Sequence, residues 1–141
     1  VVITCSDSRV IPESIFSLFF GELFVIRVAG NVISDHQLGS IEYAIDHLGS
    51  NLVVVLGHTN CGAVGAAIGG HTGGFIKSIT DEIKAAIGEE TDGYKASCLN
   101  VEHAISKIKD NLPMLNGSDS QGAKVIGAIY HINDGHVEFL D

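Results

Sequence analysis

The chain has 141 residues, of which 17 are acidic and 8 are basic, and its formal net charge at pH 7 is −9. Apolar residues make up 45% of the sequence, which suits one globular domain with an ordinary core. A chain this acidic has little to offer a nucleic-acid backbone or an anionic membrane surface, so we expect neither as a partner.

The first half of the chain alternates short apolar strands with helices. The predicted elements are a strand over residues 1–4, a helix from 12 to about 21, a strand over 23–28, a helix over 36–48 and a strand over 52–56. The first helix begins at Pro12, a favoured position for proline, and its pattern turns Phe19 toward the core. Gly49 is expected to end the second helix.

The second half adds helices and a hairpin. We predict a helix rich in small residues after Cys61, two amphipathic helices over 76–87 and 101–112, a polar loop over 116–122, and strands over 124–132 and 136–140. The Asp134-Gly135 pair between the last two strands favours a tight turn. The predicted fold class is therefore α/β, with a mainly parallel central sheet, flanking helices and a C-terminal antiparallel hairpin strand.

The number of cysteines and the residues at the start of the chain indicate where the protein resides and whether a segment precedes Val1. The three cysteines are an odd number, and we see neither an export signal nor an apolar run near the roughly 20 residues that cross a bilayer. We therefore expect thiols or metal ligands, and a cytoplasmic protein. Because Val1 opens directly in a predicted strand, we expect residues 1–141 to be a single domain whose N-terminal segment is missing.

Two motifs at predicted strand ends carry most of the chemical information. Cys5-Ser6-Asp7-Ser8-Arg9 and His58-Thr59-Asn60-Cys61 each follow an apolar run rich in β-branched residues. Parallel sheets gather functional groups at the carboxyl ends of their strands, so the two motifs can meet if their strands are neighbours. Cys5, His58 and Cys61 are then a ligand set for Zn²⁺ that leaves a fourth position for water or substrate.

Asp7 has two roles open to it in such a site. It could close the site as a fourth ligand, or it could accept a hydrogen bond from a zinc-bound hydroxide while Arg9 holds it in a bidentate fork. Because two thiolates make the site less positive than three histidines would, we expect activity to rise into the alkaline range.

Other zinc and thiol roles fit the sequence less well. A purely structural zinc is the main alternative, but such sites usually have four Cys or His ligands. A thioredoxin-like redox role has no Cys-x-x-Cys motif to support it. Cys98 lies in a predicted helix without a nearby His or Cys, which favours a structural thiol over a ligand.

The two motifs resemble the signature of the β-class carbonic anhydrases. The similarity runs from Cys5-Ser6-Asp7-Ser8-Arg9-Val10 and Gly57-His58-Thr59-Asn60-Cys61-Gly62-Ala63-Val64 to Ala29-Gly30-Asn31, Ser40-Ile41-Glu42-Tyr43-Ala44 and Gly135-His136-Val137-Glu138-Phe139-Leu140. The resemblance implies the family's fold and the reversible hydration of carbon dioxide to bicarbonate and a proton, by attack of zinc-bound hydroxide on CO₂. It implies Zn²⁺ held by Cys5, His58 and Cys61, with Asp7 and Arg9 as the catalytic pair.

The resemblance also implies a substrate pocket and an oligomer. Phe24, Ala29 and Tyr43 are at positions that match the family's small apolar substrate pocket. The Gly62 backbone N–H is at a position that lies near the substrate in that family. Ordinary core or dimer packing explains Phe24 and Tyr43 equally well. The family forms homodimers or higher oligomers, and its N-terminal helical segment is absent from residues 1–141. Two other hypotheses remain: hydrolysis of carbon disulfide or carbonyl sulfide on the same scaffold, and a catalytically silent, zinc-stabilised protein.

Overall fold

The computed structural model describes residues 1–115 and 122–140. Its strands are β1 (Val2–Thr4), β2 (Val25–Arg27), β3 (Leu52–His58), β4 (Lys124–Tyr130) and β5 (Val137–Leu140). Its helices are α1 (Pro12–Ile15), α2 (Asp35–Leu48), α3 (Gly62–Ile68), α4 (Ile76–Ile87) and α5 (Gly93–Asn111), with short 3₁₀ turns at Ala29–Asn31 and Pro113–Leu115. The loop predicted for 116–122 lies, apart from Gly122, outside the described residues. Across the described ranges, no helix has the length and apolar character needed to span a membrane.

The five strands form one sheet in the order β2-β1-β3-β4-β5. The first four are parallel, and β5 runs antiparallel to β4, which confirms the predicted fold class. The neighbouring strands β1 and β3 pair Thr4 with Leu56, and the Thr4 hydroxyl donates to the Leu56 carbonyl at 2.8 Å. Cys5 and His58 therefore lie together at the carboxyl ends of these two strands, as the ligand hypothesis requires.

Both faces of the sheet are covered, which explains why its central strand is a continuous apolar run. Val53 and Val55 of β3 pack on one face with residues of α2 and α5, and Val54 and Leu56 pack on the other. Side chains alternate along a strand, so an uninterrupted run of Val and Leu indicates burial on two sides.

Helix α2 shows how local sequence sets its limits. Ser34 and Gln37 form a capping box at its start, and Gly49 ends it in the left-handed conformation at φ +70°. Side-chain capping satisfies amide groups that have no partner inside the helix, and glycine adopts positive φ without a steric penalty. The predicted end of this helix is confirmed.

The first helix is much shorter than predicted. It ends at Ile15, and Ser17 adopts φ +54°, a left-handed conformation that cannot continue a right-handed helix. The inward orientation expected for Phe19 is also wrong, because the chain beyond Ser17 is a loop in which Phe19 is 74% and Phe20 is 94% exposed. The apolar spacing was compatible with a helix, but the local backbone turns away from it.

Candidate metal centre

Cys5, His58 and Cys61 come together where β1 and β3 leave the sheet. One ligand atom from each side chain lies within 4.8 Å of the other two, and all three residues are buried. Cys5 directly follows β1, His58 is the last residue of β3, and Cys61 caps the start of α3. The predicted meeting of the two motifs is thus observed, and it follows from β1 and β3 being neighbours.

The ring of His58 is prepared to bind a cation. Its Nδ1 lies 2.9 Å from the Thr59 carbonyl oxygen, which can only accept a hydrogen bond, so Nδ1 carries the proton. The lone pair is then on Nε2, which is buried and has no hydrogen-bond partner. An unpartnered buried nitrogen is costly, whereas a metal-binding histidine characteristically donates its other ring N–H in this way. Two sulfurs and this nitrogen therefore fit Zn²⁺.

The two thiols of the cluster are electrostatically unequal. The pKa of Cys5 is lowered to about 4, chiefly because the Cys61 thiol donates a hydrogen bond to it. The Gly30 amide also donates to Cys5 Sγ, at 3.2 Å. The pKa of Cys61 is raised because its proton is held by Cys5 and because it is buried. The hydrogen bond between the two sulfurs favours the thiolate form of Cys5, and binding of a metal to both sulfurs would release the remaining thiol protons.

Asp7 and Arg9 form the bidentate pair that the sequence suggested. Arg9 Nε donates to Asp7 Oδ1 at 2.9 Å and Arg9 Nη2 donates to Oδ2 at 2.7 Å, while the Arg9 backbone N–H adds a third bond to Oδ1 at 2.9 Å. These hydrogen bonds hold the pKa of Asp7 well below its usual range. Arg9 also donates to the carbonyl of Asn60 at 3.1 Å, which ties the two motifs together.

Asp7 does not belong to the ligand cluster in this structure. Among the described residues, the buried group that could hold a metal contains Cys5, His58 and Cys61. Both carboxylate oxygens of Asp7 are instead engaged by Arg9. This pairing keeps Asp7 apart from the three buried candidate ligands, and both the open site and its closure by Asp7 stay predictions.

Two residues that support the site were not singled out from the sequence. Arg27 donates to the backbone carbonyls of Cys5, at 3.2 Å, and Asp7, at 2.7 Å, and so fixes the loop between them. Asn100 is 2% exposed and donates to the Gly30 carbonyl at 2.8 Å. Each carries a weak signal: Arg27 is a charge at the end of an apolar strand, and Asn100 is a polar residue on the buried face of α5.

The four residues expected to form the substrate pocket fall into two places. Gly62 follows Cys61 at the start of α3, and Ala29 precedes Gly30, so both adjoin the cluster. Phe24 and Tyr43 face each other with ring centroids 6.3 Å apart. The Phe24 carbonyl accepts a hydrogen bond from Val2 N–H at the start of β1. The Phe24–Tyr43 pair therefore lies at the amino ends of the strands, whereas the cluster lies at their carboxyl ends.

A cavity of about 470 Å³ opens beside the cluster. Asn60 and Cys61 line one side of it, and Tyr94, His131 and Asp134 line another. The cavity therefore borders the segment between the end of β3 and the start of α3.

Comparison with known proteins identifies the family. The carbonic anhydrase of Mycolicibacterium smegmatis is 36% identical over 150 residues, covering 98% of this chain and 72% of that protein. Carbonic anhydrase 2 of Mycobacterium tuberculosis is 44% identical over 152 residues, covering all of this chain and 73% of that protein. The sequence model of the family described as carbonic anhydrase matches residues 1–137. This chain belongs to the carbonic anhydrase family.

Solved structures place it in the β class. It superposes on the tetrameric β-carbonic anhydrase of Sordaria macrospora with a TM-score of 0.89 at 28% identity, covering 99% of this chain and 78% of that one. The Coccomyxa β-carbonic anhydrase bound to acetazolamide gives 0.84 at 28% identity, covering 99% and 70%. The chain is a zinc-dependent carbonic anhydrase that catalyses the reversible hydration of CO₂ to bicarbonate and a proton. These findings favour an enzyme over the catalytically silent alternative.

Proposed function

We propose that Cys5, His58 and Cys61 hold the zinc of this carbonic anhydrase and that Asp7, positioned by Arg9, is its catalytic carboxylate. The observation that carries the assignment is the buried, unpartnered Nε2 of His58 beside two cysteines. Zinc bound there would supply a Lewis acid that makes a hydroxide nucleophile available near neutral pH.

The hydrogen bonds around Asp7 leave it one acceptor site. A carboxylate has about four lone-pair positions. Two of those on Oδ1 are taken by the backbone and Nε of Arg9, and one on Oδ2 is taken by Nη2. The remaining position on Oδ2 can accept a hydrogen bond from the attacking oxygen and turn that oxygen's free lone pair toward CO₂. The low pKa of Asp7 keeps it an acceptor throughout the working pH range.

Arg9 has a second role in this proposal. By occupying both oxygens of Asp7, it competes with a metal for the carboxylate and so keeps the fourth ligand position open. Asn60 anchors the guanidinium group from the other motif, so Arg9 cannot follow Asp7 inward without breaking that contact.

X-ray absorption spectroscopy of the protein carrying one equivalent of zinc tests the ligand set. We expect two sulfur ligands, one imidazole nitrogen and one oxygen, because only these three buried side chains converge among the residues described. The Cys98→Ser variant is the matched control and should give the same spectrum, since Cys98 lies half-buried on α5. A shell with one sulfur or three would contradict the assignment.

Ala29 and Gly62 are proposed to line the substrate pocket within one chain, whereas Phe24 and Tyr43 would serve the pocket of a second copy. Phe24 and Tyr43 lie at the amino ends of the strands, away from the cluster at the carboxyl ends, and Tyr43 is 50% exposed. We therefore propose that the protein is at least a homodimer, in keeping with the tetrameric Sordaria enzyme.

Light scattering coupled to gel filtration measures this association. We expect a mass of at least twice the 14.8 kDa of one chain. Tyr43→Ala is expected to raise the KM for CO₂, while Phe75→Ala, at an aromatic residue that is 97% exposed, is the matched control and should leave it unchanged. A monomer with full activity would show that one chain completes its own pocket.

We further propose that the enzyme works in a reducing compartment such as the cytoplasm. All three cysteines are free, and two of them are the proposed zinc ligands. An oxidising compartment would favour conversion of such closely spaced thiols to a disulfide.

A further inference from the structure

A second cluster of metal-binding side chains lies on the hairpin between β4 and β5. One ligand atom from each of His131, His136 and Glu138 lies within 4.8 Å of the other two. Their places follow from the backbone: His131 N–H donates to the His136 carbonyl at 2.9 Å, which makes the two histidines partners across the turn. Glu138 lies two residues beyond His136, in β5, and both side chains contact His131, so all three lie on the same side of the hairpin.

The three side chains are already in contact. The imidazole rings of His131 and His136 stack with centroids 3.9 Å apart and 12° between their planes. Nε2 of His131 lies 2.7 Å from Oε2 of Glu138. Two donors bound to one tetrahedral zinc ion at bonds of about 2.1 Å lie about 3.4 Å apart, so this N–O pair needs to separate by less than about 1 Å to hold the ion.

Two neighbours orient the cluster in the way that outer residues orient metal ligands. Asp134 Oδ1 lies 2.7 Å from His136 Nδ1, and because a carboxylate accepts, the proton is on Nδ1 and the lone pair on Nε2. The Tyr94 hydroxyl donates to both oxygens of Glu138, at 2.9 and 3.0 Å. Ligating histidines and carboxylates typically have such partners.

We propose that His131, His136 and Glu138 form a second site for a divalent transition-metal ion, with Zn²⁺ as the best-matched ion. Two imidazoles and one carboxylate are a donor set that zinc sites use, and solvent can supply the remaining positions. The ion takes the place of the hydrogen between His131 Nε2 and Glu138 Oε2, and that ring proton moves, through solvent, to Nδ1 of His131. The stacked rings fan apart on binding, which the exposed side chain of His136 can do without disturbing the core.

Calorimetric titration of the zinc-loaded enzyme with ZnCl₂ at mildly alkaline pH tests the site. We expect one further zinc per chain, with affinity in the micromolar range. His136→Ala and Glu138→Gln, which each remove a ligand, should weaken this second event by more than about 100-fold, and Asp134→Asn, which removes only the orienting charge, should weaken it by about 10- to 100-fold.

The control is His103→Ala, which removes the histidine of another His–carboxylate pair, with Glu82, and should leave the titration unchanged. Histidine NMR signals give a measurement on the unaltered chain: zinc should shift the ring resonances of His131 and His136 and leave those of His103 in place. The proposal is overturned by the absence of a second equivalent, by undiminished binding to folded His136→Ala, or by unshifted hairpin resonances. None of these outcomes depends on the catalytic site.

Discussion

Replacing Asp7 with asparagine is expected to lower the turnover number for CO₂ hydration by about 10²- to 10⁴-fold while zinc stays bound. Asparagine has nearly the same shape, but one carboxylate oxygen becomes an NH₂ group that can only donate. The Arg9 fork needs two acceptors, so the amide oxygen must serve Arg9 and leaves no acceptor for the attacking oxygen. Stopped-flow CO₂ hydration and metal analysis on the same preparation measure the two effects.

Asp81→Asn is the matched control for this substitution. Asp81 is also an aspartate paired with a cation, Lys77, but the pair lies exposed on α4. Exposed pairs of this kind contribute little, so the control should keep both activity and zinc. If Asp7→Asn retained full turnover with zinc bound, Asp7 would have no catalytic role. If it lost zinc as well, Asp7 would be a ligand and the open arrangement would be wrong.

The lowered pKa of Asp7 also determines how the stability contributed by the Asp7–Arg9 pair depends on pH. Because Arg9 depresses the pKa in the folded protein, the pair contributes stability that is present above the ordinary aspartate pKa and is lost as pH falls toward the lower folded value. Asp7 is thus ionised wherever the enzyme is assayed near neutrality. The titration of Asp7 therefore cannot produce the rise in activity toward alkaline pH that the sequence led us to expect.

The parts of the site that could be predicted depend on local sequence. Apolar runs that end in Cys5 and His58 indicate buried strands, and parallel strands bring their carboxyl ends to one edge. The short spacing between His58 and Cys61 places both at the same strand-to-helix junction. These rules needed only the assumption that β1 and β3 are neighbours, which the sheet order confirms.

The features that escaped prediction depend on contacts distant in sequence. Arg27 and Asn100 act on backbone carbonyls of other elements, and nothing in their own segments specifies those partners. The position of Phe24 at the far edge of the sheet follows from the register of β1 with β2, which no periodicity reveals. The early end of α1 depends on one backbone angle at Ser17, where the apolar pattern still favoured a helix.

Replacing His58 with alanine is expected to abolish stable zinc binding at the Cys5–His58–Cys61 cluster and, with it, measurable CO₂ hydration above the buffer rate. His58 offers the cluster's nitrogen donor, and its loss leaves only the two cysteine sulfurs, too few ligands for a stable zinc site. Because a ligand that binds only the folded state stabilises it, one equivalent of zinc should raise the melting temperature of the stripped native protein much more than that of the variant, which keeps only the weaker hairpin site. Metal analysis, stopped-flow assay and thermal unfolding measure these three effects.

Cys98→Ser provides the comparison for the loss of His58, because it also alters a potential zinc ligand but lies outside the cluster. It should keep zinc, activity and the zinc-dependent rise in melting temperature. Stripping zinc from the native protein with a chelator distinguishes the effect of losing the metal from the effect of the cavity that the alanine substitution leaves. If the buried Nε2 of His58 is unpartnered because it awaits a metal, the stripped native protein should regain activity with zinc and the variant should not. If the stripped native protein and the His58→Ala variant recovered to the same rate, the unpartnered Nε2 of His58 would have no role in binding the metal.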